Sequence, residues 1–330
     1  MKSILIFSNG EKIGDGIIKL PLLNELKKRL PNFKIFWMTD KGNTVYNNVL
    51  KNISSKYVDE IYEKANINFL FWKKISTKYN LEDMFFDYIF DTQKSISRTI
   101  ALKRIKHNYF ISGTAKCFFS SKKLDRDLIN KKKYYLENLY DLLDLIVIQK
   151  VDNNFKIPIN EKLIYKVSQI LNNKSQYIGI APGAGEKNKI WPIENFIHIA
   201  DRLIKKGYEI VFFIGPNEKY LKALLGNKFQ SSIFIEDNKN LKAFSKIEII
   251  MASTKYLKLA IANDSGVSHM LSTNECPLIK LFGPKDSNKF TPNKKNLFTI
   301  SSKDFNSYNI NDIPVSYVTK FIEKLLNKNV

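Results

Sequence analysis

Cysteine is scarce in this chain. Its 330 residues hold two, Cys117 and Cys276, far apart and without the short spacing of a metal-binding pair. That argues against a disulfide framework and fits a reducing, cytoplasmic setting. Long apolar runs are lacking as well. No stretch approaches the roughly 18 consecutive apolar residues of a membrane-crossing helix. The opening "MKSILIFSNGEK" is too short and too soon interrupted for a signal peptide, and reads as a first buried strand. Two phosphate-binding signatures are missing: the G-x-x-x-x-G-K-[ST] of a P-loop and, after the first strand, the G-x-G-x-x-G of a dinucleotide turn.

Acidic residues are in deficit. Against 53 Lys and Arg stand 32 Asp and Glu, a net charge of +21. Such a surplus suits anionic partners, whether nucleic acid, a membrane surface or a phosphorylated substrate. Compositional drift explains it as well, because Lys, Asn and Ile crowd the whole chain. The basic residues fall in short scattered clusters, "KKR" at 27–29, "KRIKH" at 103–107, "KKK" at 131–133 and "KK" at 205–206. With no single block and no recognised DNA or RNA module, nucleic acid is not the expected partner.

What is present is an ordinary balance for a globular protein, 44% hydrophobic and 26% charged. The length favours two domains. Strand-like and helix-like segments alternate. "SILIFSN" (3–9), "KIFWMTD" (34–40), "DYIFDTQ" (87–93) and "NYFIS" (108–112) read as strands. "GIIKLPLLNELKKRL" (16–30), with Pro21 in its first turns, reads as a helix, as do "SISRTIALKRIK" (95–106) and "KKYYLENLYDLLDLI" (132–146). After the polar stretch "VDNNFKIPIN" (151–160) the pattern restarts, so we expect domains over 1–155 and 156–330. In the second, strands are expected at "YIGIA", "YEIVFFIG" (208–215), "SIFIED" (232–237), "YLKLAIAND" (256–264) and "PLIKLFG" (277–283). Helices are expected over 191–207, with Pro192 at its first position, and over 241–253. Alternation of this kind predicts an α/β fold, two parallel sheets covered by helices. Ligands of such sheets bind beyond the carboxyl ends of the strands, so the loops there are where chemistry is to be sought.

Four loops stand out. In "IANDSGVSH" (261–269) a strand gives way to a helix start carrying Asp264, Ser265, Gly266 and His269. First-turn N–H groups hold anions, and glycine admits a close phosphate. Equally, Asp264 there can be a plain N-cap. "APGAGEKNKIWP" (181–192) is a second strand-to-helix loop, with Lys189 as a point charge suited to phosphate. Two anion-compatible helix starts in one domain suggest a diphosphate site. In "FIGPNEKYL" (213–221) Glu218 follows a strand end. It can accept ribose hydroxyls or be an exposed first-turn glutamate. In "EKIGDGIIKLP" (11–21) Asp15 opens a helix in the other domain. It can serve as a base for a hydroxyl proton or as an N-cap.

"IGDGIIKLP", "DYIFDTQ", "APGAGEKNKIWPIENF", "FFIGPNE" and "NDSGVSHM…CPLIKLFGP" occur in the order seen in glycosyltransferase family 9, the bacterial heptosyltransferases, and the chain resembles that family along nearly its whole length. The resemblance implies the GT-B fold, two Rossmann-like doubly wound domains facing a cleft. It implies an N-terminal acceptor-binding and a C-terminal donor-binding domain, and inverting transfer of a heptose from an ADP-sugar to the lipopolysaccharide inner core. No cofactor and no essential metal are implied. Residue by residue, Asp15 resembles the general base and Lys189 the donor-phosphate ligand. Ser265 and Gly266 resemble the amide cradle, Asp264 and His269 further donor-site residues, and Glu218 the ribose acid. A bare Asp264 carboxylate would repel a diphosphate, so we expect it to bond backbone N–H groups. The partners implied are the ADP-sugar and a lipid-linked oligosaccharide acceptor, and the basic surface would suit peripheral contact with an anionic inner membrane. Departures are "LSTNE" after "SHM", where the family usually has alanines, and a phosphate loop poor in hydroxyls. Transfer of another sugar into surface polysaccharide, or a nucleotide-sugar epimerase of similar architecture, are the alternatives.

Overall fold

The run KSILIFS forms strand β1 (Lys2–Ser8), buried from its second residue on. Continuous burial marks the middle of a sheet covered on both faces. In this computed structural model, which describes residues 2–130, 134–152, 155–172, 174–216 and 218–328, β1 is the central strand of the first of two units. The units divide between Ile157 and Pro158.

In unit 1 there follow α1 (Ile13–Arg29), β2 (Phe33–Thr39), α2 (Lys51–Ser54), β3 (Glu60–Tyr62), β4 (Phe85–Asp91), α3 (Ile96–Lys103), β5 (Lys106–Ser112), α4 (Arg126–Asn130) and α5 (Tyr135–Asp144). The sheet is parallel, in the order β3-β2-β1-β4-β5. Unit 2 contains α6 (Glu161–Ile170), β6 (Tyr177–Ala181), α7 (Ile193–Lys205), β7 (Glu209–Phe212), α8 (Lys219–Lys228), α9 (Lys246–Ser253), β8 (Leu257–Asn263), α10 (Gly266–Leu271), β9 (Leu278–Phe282), α11 (Ser287–Phe290), β10 (Leu297–Ser301) and α12 (Val315–Lys328). Its sheet is also parallel, in the order β10-β9-β8-β6-β7. The chain order reverses between β1 and β4 in one sheet and between β6 and β8 in the other. Those reversals open crevices at the carboxyl ends of the strands.

One face of the unit 2 sheet packs Ile180, Ile261, Ile279 and Leu281 against Trp191, Phe196 and Ile322. Trp191 is fully buried, and its indole N–H donates to the Ile313 carbonyl at 3.0 Å, which satisfies its polar end. Among the described residues no helix is long and apolar enough to cross a membrane.

Several local expectations are corrected. α1 starts at Ile13 rather than residue 16, so Pro21 is in the helix interior, not its first turns. Burial of Leu20, Leu22, Leu23 and Leu26, all fully enclosed, outweighs the missing N–H. Pro192 is the N-cap of α7, one position before the first helical residue. α9 begins at Lys246 instead of 241, because Ser245 and Glu248 form a capping box there. The segment 232–237 is no full strand. Ile233 makes one parallel bridge to Val211, and the chain then tightens into a turn at Ile235–Asp237. That turn brings the Glu236 carboxylate to the N–H of Ile214, at 3.3 Å.

Candidate functional site

The loops after β6 and β8 flank the reversal in unit 2, and Asn263 joins them. Its side-chain amide donates to the Pro182 carbonyl at 2.6 Å, and its oxygen accepts the Trp191 N–H at 3.2 Å. Asn263 is fully buried, so both loops are held by one side chain. The turn after β9 closes against the same place: a Cβ on Gly283 would lie 2.7 Å from the Asn188 carbonyl oxygen.

Asp264 follows Asn263. Lys189 Nζ lies 3.1 Å from its Oδ2, and Lys280 Nζ, rising from the middle of β9, lies 3.6 Å from its Oδ1. The expectation that Asp264 bonds backbone N–H groups is thus corrected: two ammonium groups neutralise it. It is not the N-cap either. Ser265 takes that position, its hydroxyl accepting from the Ser268 N–H while the Ser268 hydroxyl answers to the Ser265 carbonyl at 2.8 Å. Ser fits because its short oxygen reaches back to the first turn, whereas Asp264 is drawn away by the lysines. The first-turn N–H groups at Gly266 and Val267 have no acceptor within a helix so begun.

Lys189 also pairs with the exposed carboxylate of Glu186 at 3.5 Å, so Lys280 and Asp264 form the buried part of a cluster of two lysines and two carboxylates. Burial lowers the Lys280 ammonium to a pKa of about 8, against the pull of Asp264. His269, half-buried in α10, is held well below its ordinary value, first by burial and then by the charges of Lys280 and Lys189. Its imidazole is therefore neutral at pH 7.

Glu218 stands at the N-cap position of α8 and is 8% exposed, so the reading of an exposed first-turn glutamate is corrected. Its carboxyl fills the space that two missing side chains leave. A Cβ on Gly215 would come within 2.3 Å of Oε2, and one on Gly183 within 2.7 Å of Cδ. Burial raises its pKa, while the N–H groups of Glu218 and Ala184 draw it down. Glu218 thus leans on the same loop that carries Lys189.

In unit 1, Asp15 is an exposed residue in the first turn of α1, just past β1. The N-cap is Lys12, so Asp15 is not a cap; it complements the helix dipole instead. Two charged residues one turn away, Glu11 and Lys19, are buried. Lys19 donates to the Ser8 hydroxyl at 3.1 Å, and Glu11 accepts the Trp37 indole N–H at 3.0 Å. Burial lowers the Lys19 pKa, opposed by Glu11 and Asp15. Across the reversal, at the end of β4, Asp91 is fully buried. It accepts from the hydroxyls of Thr99 at 2.8 Å and Ser112 at 2.9 Å, and burial raises its pKa to about 6.

So the structure gathers Lys189, Glu218, Asp264, Ser265, Gly266 and His269 around the loops of unit 2, while Asp15 belongs to unit 1. Asn263, Lys280, Lys19 and Asp91 carry no role in the sequence motifs. A signal existed for Lys280: a lysine inside the apolar run "PLIKLFG" has to find a counter-charge or a ligand once that strand is buried.

The sequence profile of glycosyltransferase family 9 (heptosyltransferase) matches residues 81–313. Lipopolysaccharide heptosyltransferase 1 of Campylobacter coli is 23% identical over 317 residues, covering 89% of each chain. Lipopolysaccharide heptosyltransferase 2 of Salmonella typhimurium is 29% identical over 126 residues, 37% of this chain and 35% of that one. Among solved structures, a family 9 glycosyl transferase from Veillonella parvula superposes with a TM-score of 0.72 at 20% identity, covering 99% of this chain and 97% of the other. The E. coli heptosyltransferase WaaC, solved with ADP, gives 0.66 at 17% identity over 99% and 98%. These likenesses establish the fold as GT-B-like, with two parallel α/β sheets. With well over half its length matched by the profile, this chain belongs to glycosyltransferase family 9 (heptosyltransferase) and is a glycosyltransferase enzyme.

Proposed function

We propose that the enzyme transfers a heptose from an ADP-activated donor to the inner core of lipopolysaccharide, with inversion and without an essential metal. The observation that carries this reading is the lysine pair at Asp264. Cleaving a sugar–diphosphate bond builds negative charge on the departing ADP. Lys189, with the first-turn N–H groups of α10, supplies fixed positive potential for it. On this reading unit 2 binds the donor and unit 1 the acceptor. Glu218 accepts the ribose hydroxyls, and neutral His269 hydrogen-bonds the donor. Asp264 orients Lys189. The acceptor oxygen attacks the anomeric carbon as the bond to phosphate breaks, ADP leaves with the electron pair, and the Asp15 carboxylate takes the hydroxyl proton. One in-line displacement inverts the centre. The acceptor is lipid-linked, and the basic surface brings the enzyme to the cytoplasmic face of an anionic membrane.

A donor panel tests this. ADP-heptose and ADP should protect the protein against thermal unfolding more than UDP-, GDP- or CDP-sugars do. Lys189→Ala should cost ADP binding about 1.5–3 kcal/mol, the worth of a charge-assisted phosphate contact. Asp15→Asn should bind ADP normally and transfer sugar at least about a hundredfold more slowly. Protection by a different nucleotide sugar alone would reassign the donor. An Asp15→Asn enzyme within a few-fold of wild type, with chemistry rate-limiting, would move the base elsewhere.

A further inference from the structure

Unit 1 carries two loops that expose large aromatic side chains. Phe71 is 82% exposed, Trp72 65% and Phe118 73%. Single exposed aromatics are common on any surface. These differ in how they are held. The Arg104 guanidinium, just past α3, donates to the carbonyls of Asn68 at 2.7 Å, Leu70 at 2.8 Å and Phe71 at 3.4 Å, and to that of Lys73. One side chain thus shapes the whole turn beneath Phe71 and Trp72, whose rings meet edge to face at 4.7 Å.

The second loop is pinned to the same helix end. Lys103 donates to the Phe119 carbonyl at 3.4 Å, and Lys123 to those of Cys117 at 2.9 Å and Phe118 at 2.7 Å. Ala115, Lys116 and Cys117 hold φ values of +49°, +54° and +63°, three consecutive left-handed residues without a glycine. That conformation is costly for L-residues. The next residue, Phe118, stays 73% exposed, its ring meeting the edge of Phe119 at 5.2 Å and the Lys123 ammonium at 5.5 Å. Lys73, Lys74 and Lys116, all exposed, stand beside these aromatics.

Rigidly presented Phe and Trp side by side with lysines is the chemistry of the membrane interface. The rings enter the headgroup layer, and the ammonium groups meet anionic lipid. We propose that the loops at the end of α3, through Phe71, Trp72 and Phe118 with Lys73, Lys74 and Lys116, form a docking surface for an anionic phospholipid bilayer. This deepens the membrane contact proposed above and rests on it, and it places that contact on a defined patch rather than on diffuse net charge.

The protein carries its own reporter. Trp37 and Trp191 are fully buried, so Trp72 is the exposed one of the three tryptophans. On vesicles of phosphatidylcholine and phosphatidylglycerol at about 2:1, Trp72 emission should shift to the blue, and the shift should fade as salt screens the lysines. Pure phosphatidylcholine should give none. A Phe71→Ser/Trp72→Ser protein and a Phe118→Ser protein should each bind the anionic vesicles at least about tenfold more weakly by co-sedimentation. ADP protection should be unchanged in both, since both loops belong to unit 1 and the proposed donor residues to unit 2. Wild-type protein that binds vesicles with no Trp72 shift, or variants that bind like wild type, would overturn the patch and leave membrane contact standing. No vesicle binding at all would overturn both, with the ADP results untouched. A wild-type dimer that these substitutions dissociate would identify the patch as a contact between copies and overturn the proposal as well.

Discussion

Replacing Lys280 by methionine takes a charge out of the interior of unit 2 and keeps nearly the whole side-chain volume. Lys280 is 1% exposed, with Asp264 as its carboxylate partner at 3.6 Å. Burial depresses its pKa from 10.5 to about 8, so desolvation outweighs the attraction of Asp264. Below both values folded and unfolded chains are equally protonated, and the folded protein bears the full cost of the buried charge. At 1.36 kcal/mol per pKa unit that cost is roughly 3 kcal/mol. Between the two values the unfolded chain holds a proton that the folded chain has released, so this residue makes wild-type stability rise with pH there. Lys280→Met abolishes the effect. The stability of the variant relative to wild type should therefore fall by roughly 2–3 kcal/mol between about pH 7 and about pH 10. Any fixed packing difference cancels in that comparison. The assay is urea unfolding followed by Trp191 emission, in a background with Trp37 and Trp72 replaced by phenylalanine so that only unit 2 is reported. A stability difference that stays flat across this range would refute the account of Lys280 as a desolvated cation.

Asp91 should show the opposite slope. Its folded pKa of about 6 lies above the unfolded 3.8, so its protonation stabilises the fold below about pH 4, and that contribution is lost as pH rises through 6. Asp91→Asn should remove roughly 2–3 kcal/mol of this pH dependence, measured by urea unfolding of unit 1, and an unchanged slope would reject it. Gly215→Ala should push the Glu218 carboxylate aside, since the new Cβ would sit 2.3 Å from Oε2. ADP should then bind about three- to tenfold more weakly, with little change in the unliganded melting temperature. Unaltered ADP affinity in that variant would remove Glu218 from the ribose position.

The sequence by itself determined the two α/β units, because their signals are local. Apolar runs such as SILIF and YIGIA bury wherever they fall in a parallel sheet, and Gly207, at φ +86°, stops α7 by its own conformation. Lys189, Asp264 and Ser265 were legible for the same reason: a strand end, a small residue and a helix start are neighbours in the chain. Where local signals competed, the sequence misplaced them. Pro21 lies in the interior of a helix that hydrophobic packing maintains, and residues 232–237 turn after one bridge because the Glu236 carboxylate meets the Ile214 N–H. Only the tertiary structure decided the charges of the site. Lys280 and Asp264 are separated by a helix and a turn, yet β8 and β9 pair side by side and bring their side chains together. Asn263 reaches Pro182 across 81 residues for the same reason. Glu218 changes from a surface glutamate to a buried carboxylate because Gly183 and Gly215 leave a space that only the fold brings to it. Burial and counter-charge are properties of neighbours in space, and a chain read in order names the residues without showing which of them will meet.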